Sequence, residues 1–99
     1  MNQGLSIVIP ALNEEQNIPK LLEELNRFFE NQNFEIIVID DFRDKKLEDV
    51  LDTKLYSNLV IARNTFRLGQ SESILNGIKI ANFNTIGLID GDGQNPPFE

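Results

Sequence analysis

The sequence predicts an α/β protein built on a Rossmann-like parallel sheet with the element order βαβαβαβ. Four short apolar runs alternate with three stretches of helical periodicity along the 99 residues. No two apolar runs are joined by a two-residue hairpin turn, so right-handed crossovers and parallel strands are expected. Doubly wound nucleotide-binding sheets place the first strand between the second and the fourth, which gives the expected strand order 3-2-1-4.

The first half of the chain supplies two strands and two helices. A nearly continuous apolar run predicts a strand at Leu5–Pro10 that is buried on both faces. β-branched residues predict the second strand at Phe34–Asp40, and Asp44–Leu55 is predicted to be a short helix. Between the strands, Asn13 or Asn17 can cap a helix whose apolar residues recur at helical spacing: Ile18, Leu21, Leu22, Leu25 and Phe28 or Phe29.

The second half repeats the alternation. The third strand is expected at Asn58–Arg63 and the fourth at Thr85–Asp90. Between them a helix is expected at Ser71–Ala81, preceded by Gly69, with Ile74, Ile78 and Ala81 on its inner face. Gly77 costs this helix about 1 kcal/mol relative to alanine, which indicates close packing, either on the sheet or on a ligand-binding loop, with packing on the sheet favoured.

Composition and charge narrow the class of protein. The length and the 40% hydrophobic content predict one small domain over residues 1–99. Sixteen acidic and nine basic residues give a net charge of −7, which argues against nucleic acid or an anionic membrane as a partner. The sequence contains no cysteine, no signal-peptide pattern and no apolar run near ~18 residues, so a cytoplasmic location is expected.

Polar residues cluster where the predicted strands end. Pro10–Glu14 follow the first strand, Asp40 and Asp41 end the second, and Asp90–Gln94 follow the fourth. Because the carboxyl ends of parallel strands share one edge of the sheet, these loops are expected to converge there. Taken separately, each acidic pair is also explained as an ordinary solvated or helix-capping turn.

The turn Asp90-Gly91-Asp92-Gly93-Gln94 has the composition of a site for a hard divalent cation. Carboxylate and amide oxygens are the ligands that Mg²⁺ and similar ions take, and the two glycines permit a bend that points both carboxylates at one ion. Gly69-Gln70-Ser71, at the start of a helix, can present backbone N–H groups to an anion, although a single glycine there is also an ordinary turn. Arg63 and Arg67 are the cations expected near the same edge. They are interpreted either as binding a phosphate or as ordinary surface residues.

Together these segments resemble the family 2 glycosyltransferases of the GT-A fold. The similarity is carried in order by residues 6–15, 35–41, 69–71 and 90–97, and it spans nearly the whole chain. It is greatest to the branch that makes polyprenyl- or dolichyl-phosphate sugars. The resemblance implies that the chain is the nucleotide-sugar-binding half of such a domain.

The resemblance also implies a role for each matching residue. The donor would be a nucleotide-diphosphate sugar held with Mg²⁺ or Mn²⁺, and the acceptor a polyprenyl or dolichyl phosphate at the cytoplasmic face of a membrane. Asp90 and Asp92 match the DxD motif that binds the metal, and Gln94 joins the metal shell. The remaining implied donor-binding residues are Pro10, Ala11, Asn13 and Glu14 beside the nucleoside, Asp41 with Asp40 at the base, and Gly69.

The chain departs from the family in two respects. Phe42-Arg43-Asp44-Lys45 stands where members usually have glycine, a hydroxyl residue and another aspartate. Members also continue into an acceptor-binding half that carries further active-site groups, which leaves the catalytic residues of the parent unknown. These 99 residues alone are therefore expected to be inactive, and to self-associate through the edge of the fourth strand or through apolar surface.

Two other classes of protein share some of these features. A flavodoxin-like receiver module also gathers aspartates and Mg²⁺ at strand ends, but has its acidic pair after the first strand and its phosphoacceptor after the third. This chain has Asn13-Glu14 and Asn64 at those places. A nucleotidyltransferase with a similar sheet usually carries a glycine-rich, basic loop after the first strand, whereas residues 11–15 are neither.

Overall fold

The computed structural model describes residues 2–11, 18–41, 58–66 and 68–89. Within these ranges the chain forms β1 (Asn2–Ala11), α1 (Ile18–Phe28), β2 (Phe34–Asp40), β3 (Leu59–Arg63), α2 (Gln70–Ile80) and β4 (Phe83–Leu88). The strands form one sheet in the order β3-β2-β1-β4, and every neighbouring pair is parallel. The predicted fold class and strand order are confirmed. The helix predicted at Asp44–Leu55 lies outside the described residues.

The two central strands carry the core. β1 pairs with β2 from Leu5 opposite Phe34 to Ala11 opposite Asp40. Residues 35–40 of β2 are all buried, because helices or loops cover both faces of a parallel sheet. Alternate residues of these strands point to opposite faces, so Ile36 and Val38 pack on the α1 side and Ile37 and Ile39 on the other.

The α1 helix covers one face of the sheet with the apolar stripe that its sequence predicts. Its buried residues are Ile18, Leu21, Leu22 and Leu25. Of the two phenylalanines left open by the sequence, Phe29 is buried and Phe28 is 61% exposed. Phe29 also contacts Phe34 at the start of β2, with ring centroids 5.4 Å apart, so the chain turns from helix to strand around a packed aromatic pair.

The α2 helix packs on the other face, and the predicted inner face is wrong for one residue. Ile78 is 41% exposed, whereas the buried residues of α2 are Ser73 and Gly77. A Cβ added at Gly77 would overlap Cγ1 of Val8 in β1, which confirms the predicted close packing of this glycine on the sheet. The helix lies so near the sheet that its contact face is made of small residues, and Ile74 and Ala81 are half-buried beside it.

Strand ends differ from the sequence-based bounds by a few residues. β1 begins at Asn2 rather than Leu5, and β4 spans Phe83–Leu88 rather than Thr85–Asp90. The extension arises because Asn2 pairs with Phe83 across a register shift that precedes the Leu5–Thr85 pair. The amino ends of β1 and β4 are therefore joined more extensively than hydropathy alone indicates.

A buried carboxylate network joins three strands at this amino-terminal edge. Glu35 Oε2 accepts hydrogen bonds from Ser6 Oγ at 2.6 Å and from the Asn82 backbone N–H at 2.7 Å. Glu35 Oε1 accepts one from Asn82 Nδ2 at 3.0 Å, and the Phe83 N–H donates to Ser6 Oγ at 3.2 Å. The side chain of Glu35 in β2 thus fixes where β4 begins against β1.

Candidate functional site

The opposite edge of the sheet brings together the described part of the predicted site. The Asp41 N–H donates to Ala11 O at 3.1 Å, which joins the ends of β1 and β2. The Asn64 N–H donates to Asp40 O at 2.9 Å, and the Ile89 N–H donates to Val8 O at 3.1 Å. The carboxyl ends of the four described strands therefore lie at one edge, and the described chain ends there at Ile89.

The structure places some of the predicted site residues and leaves others outside its described ranges. Pro10, Ala11, Asp40 and Asp41 are all buried at this carboxyl-terminal edge. Gly69 lies beside them, because its N–H donates to Asp41. The remaining predicted residues lie outside the described ranges, and their roles stay predictions: Asn13, Glu14, Asp90, Asp92 and Gln94.

The carboxylate of Asp41 is bonded through both oxygens. Its Oδ1 accepts hydrogen bonds from Asn64 Nδ2 at 2.8 Å and from the Leu68 N–H at 2.7 Å. Its Oδ2 accepts a hydrogen bond from the Gly69 N–H at 2.8 Å. The residue is only 1% exposed, so a buried negative charge links the end of β2 to the turn that precedes α2.

Gly69 adopts a conformation that suits glycine. Its φ of 91° and ψ of 173° lie in a region that side chains with a Cβ rarely adopt, although nothing lies within 4 Å of where that Cβ would be. This geometry aims its N–H at Asp41, and its carbonyl accepts the Ser73 N–H at 3.1 Å in the first turn of α2. The N–H predicted to be offered to an anion is thus engaged by a carboxylate of the protein itself.

Asp40 lies beside a cation. Arg63, the last residue of β3, places its Nε 3.8 Å from Asp40 Oδ2, and the Arg63 side chain is 28% exposed. Asp40 is 1% exposed. The positive charge lowers the electrostatic cost of holding two adjacent carboxylates, Asp40 and Asp41, at one buried strand end. Arg67, the other predicted cation, lies outside the described residues.

Sequence reasoning missed three polar residues of this edge. Asn64 donates from Nδ2 to Asp41 Oδ1 at 2.8 Å and to Ser73 Oγ at 3.0 Å. Asn76 Nδ2 donates to Asn64 Oδ1 at 2.9 Å. Asn64 and Ser73 are buried. The available signal was the position of Asn64, a polar residue directly after an apolar strand at the edge where the aspartates were expected.

The described residues contain neither a group placed to hold a metal ion nor a helix that could cross a membrane. Within residues 2–11, 18–41, 58–66 and 68–89, no group of three or more aspartate, glutamate, histidine or cysteine residues is placed to hold a metal ion. In the same part of the chain, neither helix is long and apolar enough to cross a lipid bilayer.

Comparison with known proteins assigns the family. The model of the family described as "Glycosyl transferase family 2" matches residues 6–98, and the chain belongs to this family. This confirms the resemblance drawn from the sequence and does not favour a receiver module.

The curated relatives carry a lipid phosphate in their names. The chain is 29% identical over 94 residues to the dolichol-phosphate mannosyltransferase of Pyrococcus furiosus. The alignment covers 94% of this chain and 27% of that protein. It is 35% identical over 100 residues to the undecaprenyl-phosphate 4-deoxy-4-formamido-L-arabinose transferase of Aeromonas hydrophila, covering 96% and 31%. The chain therefore spans less than a third of the length of these relatives.

Solved structures confirm the fold. The crystal structure of S. aureus TarS in complex with UDP aligns with a TM-score of 0.75 at 23% identity, covering 91% of this chain and 28% of that one. The mannosyltransferase PcManGT from Pyrobaculum calidifontis, in complex with GDP-Man and Mn²⁺, aligns with a TM-score of 0.76 at 16% identity, covering 93% and 28%. The chain has the fold of these two proteins over the aligned part.

Proposed function

We propose that this protein binds a nucleotide-diphosphate sugar at the carboxyl-terminal edge of its sheet, as the donor-binding part of a glycosyltransferase. The observation that carries the proposal is the meeting of Ala11, Asp40 and Asp41 at the edge where the described chain ends after β4, in a chain of glycosyl transferase family 2. In doubly wound sheets this edge, where the strand order reverses, is where ligands bind. The sugar acceptor we propose is a polyprenyl or dolichyl phosphate, supported by the names of the curated relatives.

Each predicted donor-binding residue has a place in this proposal. Pro10 and Ala11, with Asn13 and Glu14, would line the nucleoside, and Asp40 and Asp41 would serve the base. The burial of both aspartates at the strand end supports a role in a defined site rather than in a solvated turn. Gly69 would bring the backbone close to the donor.

The metal belongs to the same proposal. Asp90, Asp92 and Gln94 would hold Mg²⁺ or Mn²⁺ through oxygen ligands of the type that these ions prefer. The bound ion would supply charge neutralisation of the donor diphosphate as the sugar–phosphate bond breaks. Support comes from the chemistry of this turn and from the Mn²⁺ named with the structural neighbour PcManGT.

Charge makes the proposed metal dependence strong. The protein has a net charge of −7, so a nucleotide diphosphate approaches against the overall field. At the described edge the Leu68 and Gly69 N–H groups are already bonded to Asp41. A divalent cation is therefore the expected source of attraction for the diphosphate.

A cytoplasmic location, expected from the sequence, is part of the proposal.

We expect UDP or GDP to bind more tightly with Mn²⁺ than without it, and Asp92→Asn to abolish that gain. The physical reason is that the amide removes one anionic metal ligand without changing the side-chain shape. Isothermal titration calorimetry of each nucleotide with and without Mn²⁺ measures the effect. Glu23→Gln on α1 is the matched control, because it removes one exposed negative charge from a residue with no role in the proposed site and should bind like the unaltered protein. Equal Mn²⁺ dependence in Asp92→Asn would remove Asp92 from the proposed metal shell.

We further propose that the chain self-associates through β4. Among the described strands β4 lies at one end of the sheet, and its Leu88 is 55% exposed. An edge strand with exposed apolar side chains is a template for pairing with another chain. Size-exclusion chromatography with light scattering should show a mass that rises with concentration, and Leu88→Lys should shift it toward the monomer. A monomeric mass at every concentration would contradict this expectation.

A further inference from the structure

A buried polar cluster couples the end of β3 to the proposed donor site. It consists of Asn64, Asp41, Ser73 and Asn76, joined by three side-chain hydrogen bonds of 2.8 to 3.0 Å. Asn64 is the centre of the cluster, because it takes part in all three bonds. We propose that Asn64 is a positioning residue that holds the Asp41 carboxylate, and through it the turn before α2, in the arrangement that the donor needs.

The orientation of the Asn64 amide follows from its partners. Its Oδ1 accepts from Asn76 Nδ2, and its Nδ2 donates to Asp41 Oδ1 and to Ser73 Oγ. A carboxylate accepts hydrogen bonds and cannot donate them, so the nitrogen of the amide must face Asp41. Both amide hydrogens and the oxygen are therefore used, which leaves the side chain one favourable orientation.

The backbone of Asn64 is fixed as well. Its N–H donates to the carbonyl of Asp40 at 2.9 Å, the residue that precedes Asp41 at the end of β2. Asn64 thus contacts both proposed base-side residues, one through its backbone and one through its side chain. A change at Asn64 is expected to affect the Asp41 carboxylate most, because a hydrogen bond to a charged group is stronger than one between neutral groups.

The effect then passes to the turn before α2. The two oxygens of Asp41 hold the N–H groups of Leu68 and Gly69 at 2.7 and 2.8 Å. Gly69 depends on that support, because its φ of 91° is an unusual backbone conformation. Without Asn64, Oδ1 of Asp41 loses one of its hydrogen bonds, and the carboxylate that holds the turn is less firmly fixed. The inference rests on the proposed function, because it takes the donor to bind beside this turn.

The test measures the turn and the donor separately in Asn64→Ala. Amide hydrogen exchange of Leu68 and Gly69, followed by NMR, reports the turn, and calorimetry with UDP and GDP in the presence of Mn²⁺ reports the donor site. We expect faster exchange at both amides and nucleotide affinity lower by about tenfold, which corresponds to about 1.4 kcal/mol, because the Asp41 carboxylate loses a charge-assisted hydrogen bond. Ser6→Ala is the control, since it removes a buried hydroxyl from the Glu35 network at the other edge.

The control separates positioning from general loss of stability. Ser6→Ala should lower the midpoint of thermal unfolding, as Asn64→Ala does, but leave nucleotide affinity and the exchange of Leu68 and Gly69 unchanged at temperatures where both variants are folded. An equal loss of affinity in the two variants would overturn the positioning role. Unchanged exchange at Leu68 and Gly69 in Asn64→Ala would overturn it as well.

An added negative charge at Asn64 tests its pairing with Asp41 directly. Asn64→Asp puts a second carboxylate against Asp41 and should weaken nucleotide binding more than Asn64→Ala does. Adding Asp41→Asn removes that repulsion, so the losses caused by the two single changes should not add in the double variant. Additive losses would count against a coupled pair.

If the unaltered protein binds neither nucleotide, the proposed function fails. If it binds and Asn64→Ala binds equally well, only the role of Asn64 fails.

Discussion

Replacing Glu35 with alanine is expected to lower the free energy of unfolding at neutral pH by about 3 kcal/mol. The substitution removes a buried acceptor of three hydrogen bonds and leaves Ser6 Oγ and both donors of Asn82 without it. The cost falls mainly on Ser6, which is fully buried and cannot replace the lost partner with water, whereas Asn82 is exposed. Chemical denaturation monitored by circular dichroism measures the difference.

The same network predicts a pH dependence with a definite sign. Burial raises the pKa of Glu35, but hydrogen bonds from Ser6 and from the backbone and side chain of Asn82 lower it, and the net shift is downward. A carboxyl group with a lower pKa in the folded state stabilises the fold above its unfolded pKa, and this contribution is lost as the pH falls through the folded pKa. The stability difference between the unaltered protein and Glu35→Gln should therefore be largest near neutral pH and shrink in acid.

An exposed ion pair supplies the control for Glu35. Arg27 and Glu23 lie one turn apart on α1 with 3.2 Å between Arg27 Nη2 and Glu23 Oε1, and their side chains are 75% and 68% exposed. Solvent-exposed pairs of this kind contribute about 0.3–0.5 kcal/mol, so Glu23→Ala should change stability little. A Glu35→Ala variant as stable as Glu23→Ala would show that the buried network does not hold the amino ends of the strands together.

Replacing Gly77 with valine is expected to destabilise the protein by about 2–4 kcal/mol, the second large effect. Even a Cβ at this position would overlap Val8 Cγ1 in the buried centre of β1, and Ile39 Cγ1 would lie 3.4 Å away. Val8 is fully buried and β-branched, so it cannot easily turn aside. The helix must then move off the sheet. Thermal unfolding of the variant measures the cost.

Ile78→Ala is the matched test of the same helix. Ile78 is 41% exposed, so its truncation should cost less than about 1 kcal/mol, whereas a fully buried isoleucine would cost roughly 2–5 kcal/mol. Combining Gly77→Val with Val8→Ala should cost less than the sum of the two single changes, since each relieves the other. A large loss in Ile78→Ala with little loss in Gly77→Val would restore the inner face expected from the sequence.

The contrast between the two helices explains what the sequence could predict of the fold. Leu21, Leu22 and Leu25 of α1 are large apolar residues on one stripe, and their burial follows from helical periodicity alone. In α2 the contact with the sheet is made by Ser73 and Gly77, which give no hydrophobic signal. Their burial depends on how near the helix approaches the sheet, and that distance is a property of the packed molecule.

The site divides in a similar way. Asp40 and Asp41 were predictable because they end a strand whose bounds, Phe34–Asp40, follow from its apolar run. The partnership of Asp41 with Asn64 joins residues 23 positions apart, and that with Gly69 joins residues 28 apart. No local pattern encodes such pairs. They follow from the side-by-side order of β2 and β3 and from the path of the chain into α2.

The position of β1 in the sheet has a consequence for the order in which the molecule assembles. Its partner on one side is β2, but its other partner is β4, and the Gly4 N–H reaches Asn84 Oδ1 across 80 positions of the chain. Contacts of such long range make folding slow, because the loop must close before they contribute. During synthesis β1 is made first, and its pairing is not complete until β4 has left the ribosome. Until then one side of β1 is open to pairing with other chains and to binding by chaperones.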